Sequence, residues 1–322
     1  MKYSRWHSFL NKILLKYYFN MTSWKLGSKI WNLVFEYSVN NYEGAILSRI
    51  HGYPVLINNG YRYQINSRHF RSFNNPLLEL VFQTSIEKNR PIKVIDIGAA
   101  VGDTALYLIK NSDKFIEKLY CIDGDDEFYE YLHNNLKNIS KVFTIKSLLT
   151  DKSSELEAQL VRTHAGTASS QSNIAVSAYS LDTLLANIID LDSIDVLKVD
   201  VDGLDGKVLM GAQELIEKST PNIIFEWHPI LYHQTQNEVI QPFTFLYSLG
   251  YNNFLWFDKY GKFSHFDFEL CFKNINALSE ICQNNLHESD WHYDIIALHK
   301  NSDIDKISLA EMKYAKNKQS RY

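Results

Sequence analysis

The chain has 322 residues, of which 45% are hydrophobic and 22% charged, a composition typical of a globular protein. Its net charge of −4 gives no sign of a nucleic-acid-binding protein. The three cysteines form no Cys-x-x-Cys pair, which predicts reduced thiols and a cytoplasmic location. No apolar run reaches the ~20 residues of a membrane-spanning helix. Lys12 and Lys16 interrupt the one apolar segment near the start, so we expect no signal peptide.

Residues 1–42 are predicted to form a basic amphipathic helical arm. The first 35 residues contain six Lys or Arg residues and no Asp or Glu. Apolar residues recur there at helical spacing, namely Phe9, Leu10, Ile13, Leu14, Tyr17 and Tyr18, and then Ile30, Leu33, Val34 and Tyr37. We favour an arm that packs on the main domain or on a second subunit of a homo-oligomer. The alternative is peripheral contact with an anionic membrane surface through residues 1–35.

Residues 43–90 are predicted to hold a hairpin and a helix ahead of the main domain. Residues 51–65 are typical of two short strands around an Asn58-Asn59-Gly60 turn. Pro76 favours a helix start because its missing N–H costs nothing in the first turn. We expect that helix to cover residues 77–86.

The most informative segment is Asp96-Ile97-Gly98-Ala99-Ala100-Val101-Gly102, between an apolar strand and a helix. Glycines let the backbone turn sharply and let a ligand approach closely at the carboxyl edge of a parallel sheet. Dinucleotide-binding turns read G-x-G-x-x-G, whereas this turn reads D-x-G-x-x-x-G. That spacing resembles the first motif of S-adenosylmethionine (SAM) methyltransferases and disfavours a nicotinamide oxidoreductase.

From residue 91 onward strands and helices alternate, which predicts a doubly wound, mostly parallel α/β sheet. The predicted strands cover residues 92–97, 118–123, 142–147, 194–200, 222–227, 253–257 and 292–298. Residues 152–180 break the alternation and fit a hairpin or a mobile lid, with residues 160–180 as the lid and His164 as a weaker catalytic candidate. We predict one domain over residues 91–300 and a polar tail over 301–322.

Acidic residues follow two of these strands. Asp123, at the end of the second, is placed to accept hydrogen bonds from both hydroxyls of a ribose. Asp200, Asp202 and Asp205 cluster where a buried strand ends and a helix begins. So much negative charge suits a positive partner, either the amino or sulfonium group of a cofactor or a divalent metal ion. Capping of the helix N-terminus explains one acid but not three.

Several motifs in this order resemble the FkbM-type SAM-dependent methyltransferases. They are Asp-Ile-Gly-x-x-x-Gly, a strand ending at Asp123, Leu181-Asp182-Thr183-Leu184-Leu185, Leu197-Lys198-Val199-Asp200-Val201-Asp202-Gly203 with Gly211-Ala212, and Phe225-Glu226-Trp227-His228-Pro229. The resemblance implies a seven-stranded Rossmann-like fold and methylation of a hydroxyl on a sugar, a glycan or a glycosylated small molecule. It departs from the family where Asp202 and Asp205 replace glutamates, and where Asp123-Gly124 replaces a glutamate and a proline.

The resemblance also implies roles for single residues. Asp96, Gly98, Ala99 and Gly102 would shape the pocket for the amino-acid end of SAM, Asp123 would hold the ribose, and Asp200 with Asp202 would lie beneath the methyl group. His228 is the predicted base, because methyl transfer to oxygen needs a group that takes the hydroxyl proton. Glu226 shares its strand face and would orient it or bind substrate. An alternative for His228 is a structural role at the strand end.

Two other classes of function remain open. Asp200-Val201-Asp202 is a D-x-D sequence, which metal-dependent glycosyltransferases use to hold a divalent ion against a sugar nucleotide. Asp200, Asp202 and Asp205 are therefore the candidate ligands for a metal such as Mg²⁺. A non-catalytic binding protein of the same fold is the third class.

Overall fold

The computed structural model describes residues 2–70, 72–164, 167–188, 193–267, 270–284 and 291–311, with the backbone alone for 154–176 and 187–188. The strands are β1 Ala45–Ile50, β2 Tyr53–Asn58, β3 Ile92–Ile97, β4 Ile116–Asp123, β5 Val142–Lys146, β6 Leu148–Leu149, β7 Ser154–His164, β8 Thr167–Tyr179, β9 Val196–Val199, β10 Asn222–Trp227, β11 Tyr251–Asp258, β12 Phe263–Asp267 and β13 Tyr293–His299. The helices are α1 Arg5–Thr22, α2 Lys25–Asn41, α3 Tyr63–His69, α4 Asn75–Lys88, α5 Asp103–Ser112, α6 Asp126–Leu136, α7 Leu181–Ile188, α8 Asp205–Met210, α9 Gln213–Ser219, α10 Pro229–Gln234, α11 Gln241–Ser248, α12 Phe272–Gln283 and α13 Lys306–Glu311.

The central sheet has the strand order β12-β11-β13-β10-β9-β3-β4-β5. The five strands from β10 to β5 are parallel, and β13 runs antiparallel between β10 and β11. All seven predicted strands are present, and β12 adds an eighth at one edge. Their apolar runs are buried on both faces, in two separate hydrophobic clusters, as a doubly wound sheet requires. The predicted α/β class and its Rossmann-like arrangement are confirmed.

The hairpin before the sheet differs from the prediction. β1 and β2 pair around His51-Gly52, whose φ angles are 51° and 94°. Two consecutive positive φ angles form the type I′ turn that joins two-residue hairpins. The predicted Asn58-Asn59-Gly60 turn instead ends the hairpin, and the expected second strand is replaced by α3. The prediction was wrong because Gly52 and Gly60 both favour a turn, and the sequence did not show which of the two joins the strands.

The N-terminal helices are present, and of the apolar residues that predicted α1, Leu14 is buried whereas Phe9 and Ile13 are exposed. Leu14 of α1 and Trp31 of α2 are buried together, and the Trp31 Nε1 donates a hydrogen bond to the Leu14 carbonyl at 2.9 Å. The backbone N–H of Leu47 in β1 donates to the Ser8 Oγ at 2.8 Å. The arm is therefore packed on the hairpin. No helix among the described residues combines the length and apolar composition needed to cross a bilayer.

Residues 152–180 adopt the hairpin alternative, with β7 antiparallel to β8 and β6 beside β8. The predicted lid falls on this hairpin. Gly166 lies outside the described residues, as does the side chain of His164.

Candidate active site

A cleft of about 510 Å³ lies at the carboxyl edge of the parallel strands. Four neighbouring strands each bring a residue to it, namely Gly98 after β3, Asp123 at the end of β4, Asp200 after β9 and Glu226 in β10. The carboxyl edge is where open α/β sheets bind their ligands. The strand pairing thus gathers residues that are far apart in the sequence.

The turn after β3 requires glycine at Gly98. Its φ is 76°, and a Cβ there would lie 1.7 Å from the backbone carbonyl oxygen of Asp200. Gly102 has a φ of 87°, and a Cβ there would lie 2.9 Å from the Leu136 Cδ1. Gly98 therefore allows the ends of β3 and β9 to meet at the cleft. Gly102 and the buried Ala99 do not line the cleft and instead fix how the turn packs.

Asp123 is held rigidly with part of its hydrogen-bonding capacity still available. Its Oδ2 accepts the Ala100 N–H at 2.8 Å, and its Oδ1 accepts the Asp125 N–H at 2.9 Å. A carboxylate has about four acceptor positions, so about two remain for a ligand. Burial raises the pKa of Asp123 to about 7. Added hydrogen bonds from a ligand would stabilise its charged form.

Lys198 links the floor of the sheet to the cleft. Its Nζ lies 2.9 Å from the Asp96 Oδ1 and 3.2 Å from the Asp200 Oδ2. Burial alone would lower the pKa of Lys198, but the charges of Asp200 and Asp96 outweigh burial and raise that pKa. Asp96 is fully buried and does not line the cleft. Asp96 anchors Lys198, and its role toward a cofactor stays a prediction.

The acids after β9 have separate tasks. Asp205 is fully buried, and its carboxylate accepts the Val201 and Gly203 N–H groups, each at 3.1 Å. Asp202 lines the cleft with a φ of 52°, and burial together with the Asp200 charge raises its pKa. Within the described ranges no group of three or more His, Cys, Asp or Glu side chains is placed to hold a metal ion. The three candidate metal ligands therefore differ in their tasks, because Asp205 holds the loop after β9 through backbone hydrogen bonds.

The predicted base does not lie at the cleft, but another histidine does. His228 is buried at the start of α10, and its ring stacks on that of His292 with centroids 5.2 Å apart. His292 lines the cleft, and its Nε2 lies 3.3 Å from the Glu226 Oε1. Burial and the surrounding acids raise the pKa of Glu226, and burial raises the pKa of Asp294 to about 7. The cleft thus holds a histidine beside carboxyl groups.

Rings from before and after the central strands cover another side of the cleft, and we call them the aromatic wall. Its members are Tyr61, Tyr63, Phe70, Phe73 and Tyr260. The Phe70 and Tyr260 ring centroids are 4.0 Å apart. The Ser72 Oγ donates to the Tyr260 carbonyl oxygen at 2.6 Å. These contacts fasten the segment before α4 to the turn after β11.

Polar side chains fix the two tyrosines Tyr61 and Tyr63 of the aromatic wall. The Tyr61 hydroxyl donates to the carboxylate of Asp103, which also lines the cleft. Burial raises the pKa of Asp103 to about 6. The Tyr63 hydroxyl lies 2.8 Å from the His51 Nε2 and accepts from the Asn74 Nδ2 at 2.7 Å.

The structure thus brings together only part of the predicted site. Gly98, Asp123, Asp200, Asp202 and Glu226 line the cleft, whereas Asp96, Ala99, Gly102, Asp205 and His228 do not. The sequence reasoning missed the aromatic wall, Asp103, Lys198, His292 and Asp294. Lys198 had a local signal, because a charged residue inside a buried strand must be paired. The aromatic wall had no local signal in the sequence.

Residues 96–252 match the family model of the methyltransferase FkbM domain. This match confirms the resemblance drawn from the sequence. No curated protein sequence matches the chain.

Solved structures show similarity at low sequence identity. A methyltransferase FkbM from Methylobacillus flagellatus KT is 15% identical, with a TM-score of 0.42, over 64% of this chain and 43% of that one. An O-methyltransferase from Bacillus cereus in complex with SAH is 13% identical, with a TM-score of 0.38, over 74% of this chain and 88% of that one. TrmK from M. capricolum in complex with S-adenosyl-homocysteine is 13% identical, with a TM-score of 0.32, over 71% of this chain and 72% of that one.

Proposed function

We propose that this chain, which carries a methyltransferase FkbM domain over residues 96–252, transfers a methyl group from SAM to a hydroxyl of a sugar, a glycan or a glycosylated small molecule. The observation that carries the proposal is one cleft that joins the glycine turn and Asp123 to the Glu226–His292 pair and the aromatic wall. Such a cleft has room to hold two reactants next to each other, and their alignment contributes much of the rate of such a reaction.

The residues around the glycine turn fit SAM. Gly98 opens the turn for a close approach, and Asp123 has acceptor positions for the ribose hydroxyls. Asp200 and Asp202 give the cleft the negative potential that suits a cation. Bound there, SAM supplies a methyl group on a positively charged sulfur. Lys198 keeps Asp200 in place through its 3.2 Å contact.

We assign the proton-accepting role to His292 together with Glu226. In this role His292 would take the proton that the acceptor hydroxyl loses on methylation. A histidine suits this step because its ordinary pKa lies near neutrality. Glu226, 3.3 Å from the His292 Nε2, orients the ring and stabilises its charged form. His228 acts as a positioning residue through its stacked ring.

The aromatic wall supports a sugar-like acceptor. Aromatic faces pack against the C–H faces of sugar rings, while neighbouring polar groups bind the hydroxyls. Phe70 and Tyr260 supply the faces, and Asp294 and Lys259 lie along the same cleft. A sugar-like acceptor offers hydroxyls that can hydrogen-bond to these polar groups, which a purely apolar acceptor does not.

Ligand-induced stabilisation tests the cofactor. The melting temperature would be measured with SAM, its demethylated product, NAD, and a sugar nucleotide with manganese. A ligand at a hundred times its dissociation constant stabilises the folded protein by about 2.7 kcal/mol. We expect stabilisation by SAM and its product, weakened in Asp123→Asn and retained in Asp126→Asn, an exposed acid of α6. Stabilisation by the sugar nucleotide and manganese alone would instead favour glycosyl transfer, and no response would favour a binding protein.

Product analysis tests the acceptor class. Isotopically labelled SAM would be incubated with the protein and a panel of free sugars, oligosaccharides and glycosides, with amines and thiols as controls. Label recovered in an ether linkage on a sugar would support the proposal. Transfer to nitrogen or sulfur with no sugar product would contradict it.

A further inference from the structure

We propose that α1 and α2 form a docking surface for an anionic lipid membrane. This surface is separate from the cleft and does not depend on the methyl acceptor. We call it the arm surface and define it by two rows of exposed residues, Trp6, Phe9, Ile13 and Tyr17 on α1, and Leu26, Ile30, Leu33 and Tyr37 on α2.

Each row follows one face of its helix. Successive members are three or four residues apart, so they lie above one another along the axis. Trp6, Phe9 and Leu33 have exposed fractions of 63%, 56% and 66%. Of the eighteen exposed large hydrophobic side chains among the described residues, eleven lie between residues 3 and 37. Exposed apolar groups concentrated in this way mark an interaction surface.

The arm surface is rigid because the other faces of both helices are buried. Leu14 and Trp31 share an apolar cluster with Ile65 of α3. The Asn11 side chain is buried and exchanges hydrogen bonds with Gln64 at 3.1 and 3.0 Å. The exposed rows therefore do not result from loosely attached helices. Refolding the arm to bury them would break these contacts.

The charge of the arm surface indicates which kind of partner it binds. All six basic residues of the first 35, namely Lys2, Arg5, Lys12, Lys16, Lys25 and Lys29, are exposed, and no acid lies among them. Two copies of this surface would repel each other, whereas anionic headgroups attract it. The Lys16 Nζ lies 5.1 Å from the centre of the Tyr17 ring. Long cationic side chains beside aromatic rings reach the headgroups while the rings enter the interface.

Vesicle binding by the full chain tests the proposal. Sedimentation would compare vesicles of phosphatidylcholine with vesicles that also contain phosphatidylglycerol. We expect binding to the anionic vesicles that weakens as salt rises. Combined Trp6→Ser, Phe9→Ser and Leu33→Ser substitutions should lower binding by roughly 10-fold or more. The matched control replaces Ile86, Tyr247 and Ile307, which are 54%, 49% and 65% exposed, with serine.

Two further variants keep the test valid if the serine variant folds poorly. Lys12→Glu with Lys16→Glu should also lower binding by roughly 10-fold, whereas Lys218→Glu with Lys273→Glu should not. Trp6→Phe keeps the surface apolar, so it should bind normally but show less quenching of its fluorescence by brominated lipids. The proposal is overturned if wild-type protein ignores anionic vesicles. It is also overturned if the serine variant binds like its control, or changes only the oligomeric state in gel filtration.

Discussion

The glycine-turn side of the cleft and the aromatic wall are built in opposite ways. On the glycine-turn side, Gly98, Asp123 and Asp200 each lie at or directly after the end of a parallel strand, and the strand order alone brings them together. The aromatic wall joins Phe70 to Tyr260, far apart in the sequence and linked by side-chain and backbone contacts. Its position therefore depends on packing that no local motif specifies.

This difference suggests that the two sides respond separately to mutation. A change on the glycine-turn side should alter cofactor affinity, whereas a change in the aromatic wall should alter acceptor use. Groups between them, His292 and Glu226, should alter the rate of transfer.

The largest expected effect is on the rate of transfer. His292→Asn removes the proposed proton acceptor, and general bases contribute about 10²–10⁴-fold to a rate. We expect kcat to fall in that range with the affinity for SAM unchanged, as measured by steady-state kinetics and calorimetry. The control is His265→Asn, whose ring stacks on Trp256 with centroids 5.0 Å apart. A larger fall in kcat for His228→Asn than for His292→Asn would give the base role to His228.

Lys198→Met should destabilise the whole fold. The substitution leaves the fully buried Asp96 without its cation, and breaking a buried ion pair costs about 3–5 kcal/mol. Urea unfolding should show a loss of that size in the free energy of unfolding. Lys146→Met is the control, because its pair with Asp126 is exposed and such pairs contribute about 0–1 kcal/mol. Equal losses in the two variants would mean that Lys198 is not an anchor.

Much of the glycine-turn side followed from the sequence, and the physical reason is local. An apolar strand, a glycine that must adopt positive φ and an acid at the next strand end are all visible in short segments. Parallel pairing then places them at one edge without further information. The predicted strands were found for the same reason, because buried parallel strands are short continuous apolar runs.

The rest of the site depended on long-range contacts. His228 follows β10 and His292 precedes β13, so both lie at the same edge of the central sheet. Only the packing of α10 shows that His292, and not His228, lines the cleft. In the arm, apolar residues cover more than one face, so periodicity predicted the helices but not the side that is buried. Tyr260 carried no signal, since its role arises from contact with Phe70.

Asp123→Asn should weaken cofactor binding with little effect on the acceptor. Hydrogen bonds to charged groups contribute about 1.5–3 kcal/mol, which corresponds to roughly 10–100-fold in affinity. Calorimetric titration with SAM would measure the change, and Asp126→Asn should bind as the wild type does. An unchanged affinity in Asp123→Asn would place the ribose elsewhere and break the proposed division of the cleft.

Asp123 and Asp294 should make the stability of the ligand-free protein fall as pH rises from about 5 to 8. Burial raises the pKa of Asp123 and of Asp294 to about 7, so the folded state holds these protons while the unfolded chain, with ordinary pKa values near 4, has released them. His51 acts in the opposite direction up to about pH 7, because its pKa is lowered to about 4 in the folded state whereas the unfolded chain takes up that proton near the ordinary pKa of 6.5. Urea unfolding across these pH values would measure the slope, which should be shallower in Asp123→Asn and unchanged in Asp126→Asn. A stability that rises with pH in wild-type protein would contradict the prediction.

The smallest expected effect, on acceptor use, is the most direct test of the aromatic wall. Tyr260→Ala removes a ring that packs on Phe70 but leaves the backbone carbonyl that accepts from Ser72. Loss of one aromatic contact costs about 0.5–1.5 kcal/mol, so KM for a sugar acceptor should rise roughly 2–12-fold while the affinity for SAM stays constant. Tyr247→Ala, an exposed tyrosine of α11 outside the cleft, should change neither quantity. If Tyr260→Ala instead weakened SAM binding as much as Asp123→Asn, the two sides of the cleft would form one binding unit, and the difference in how they are built would carry no functional consequence.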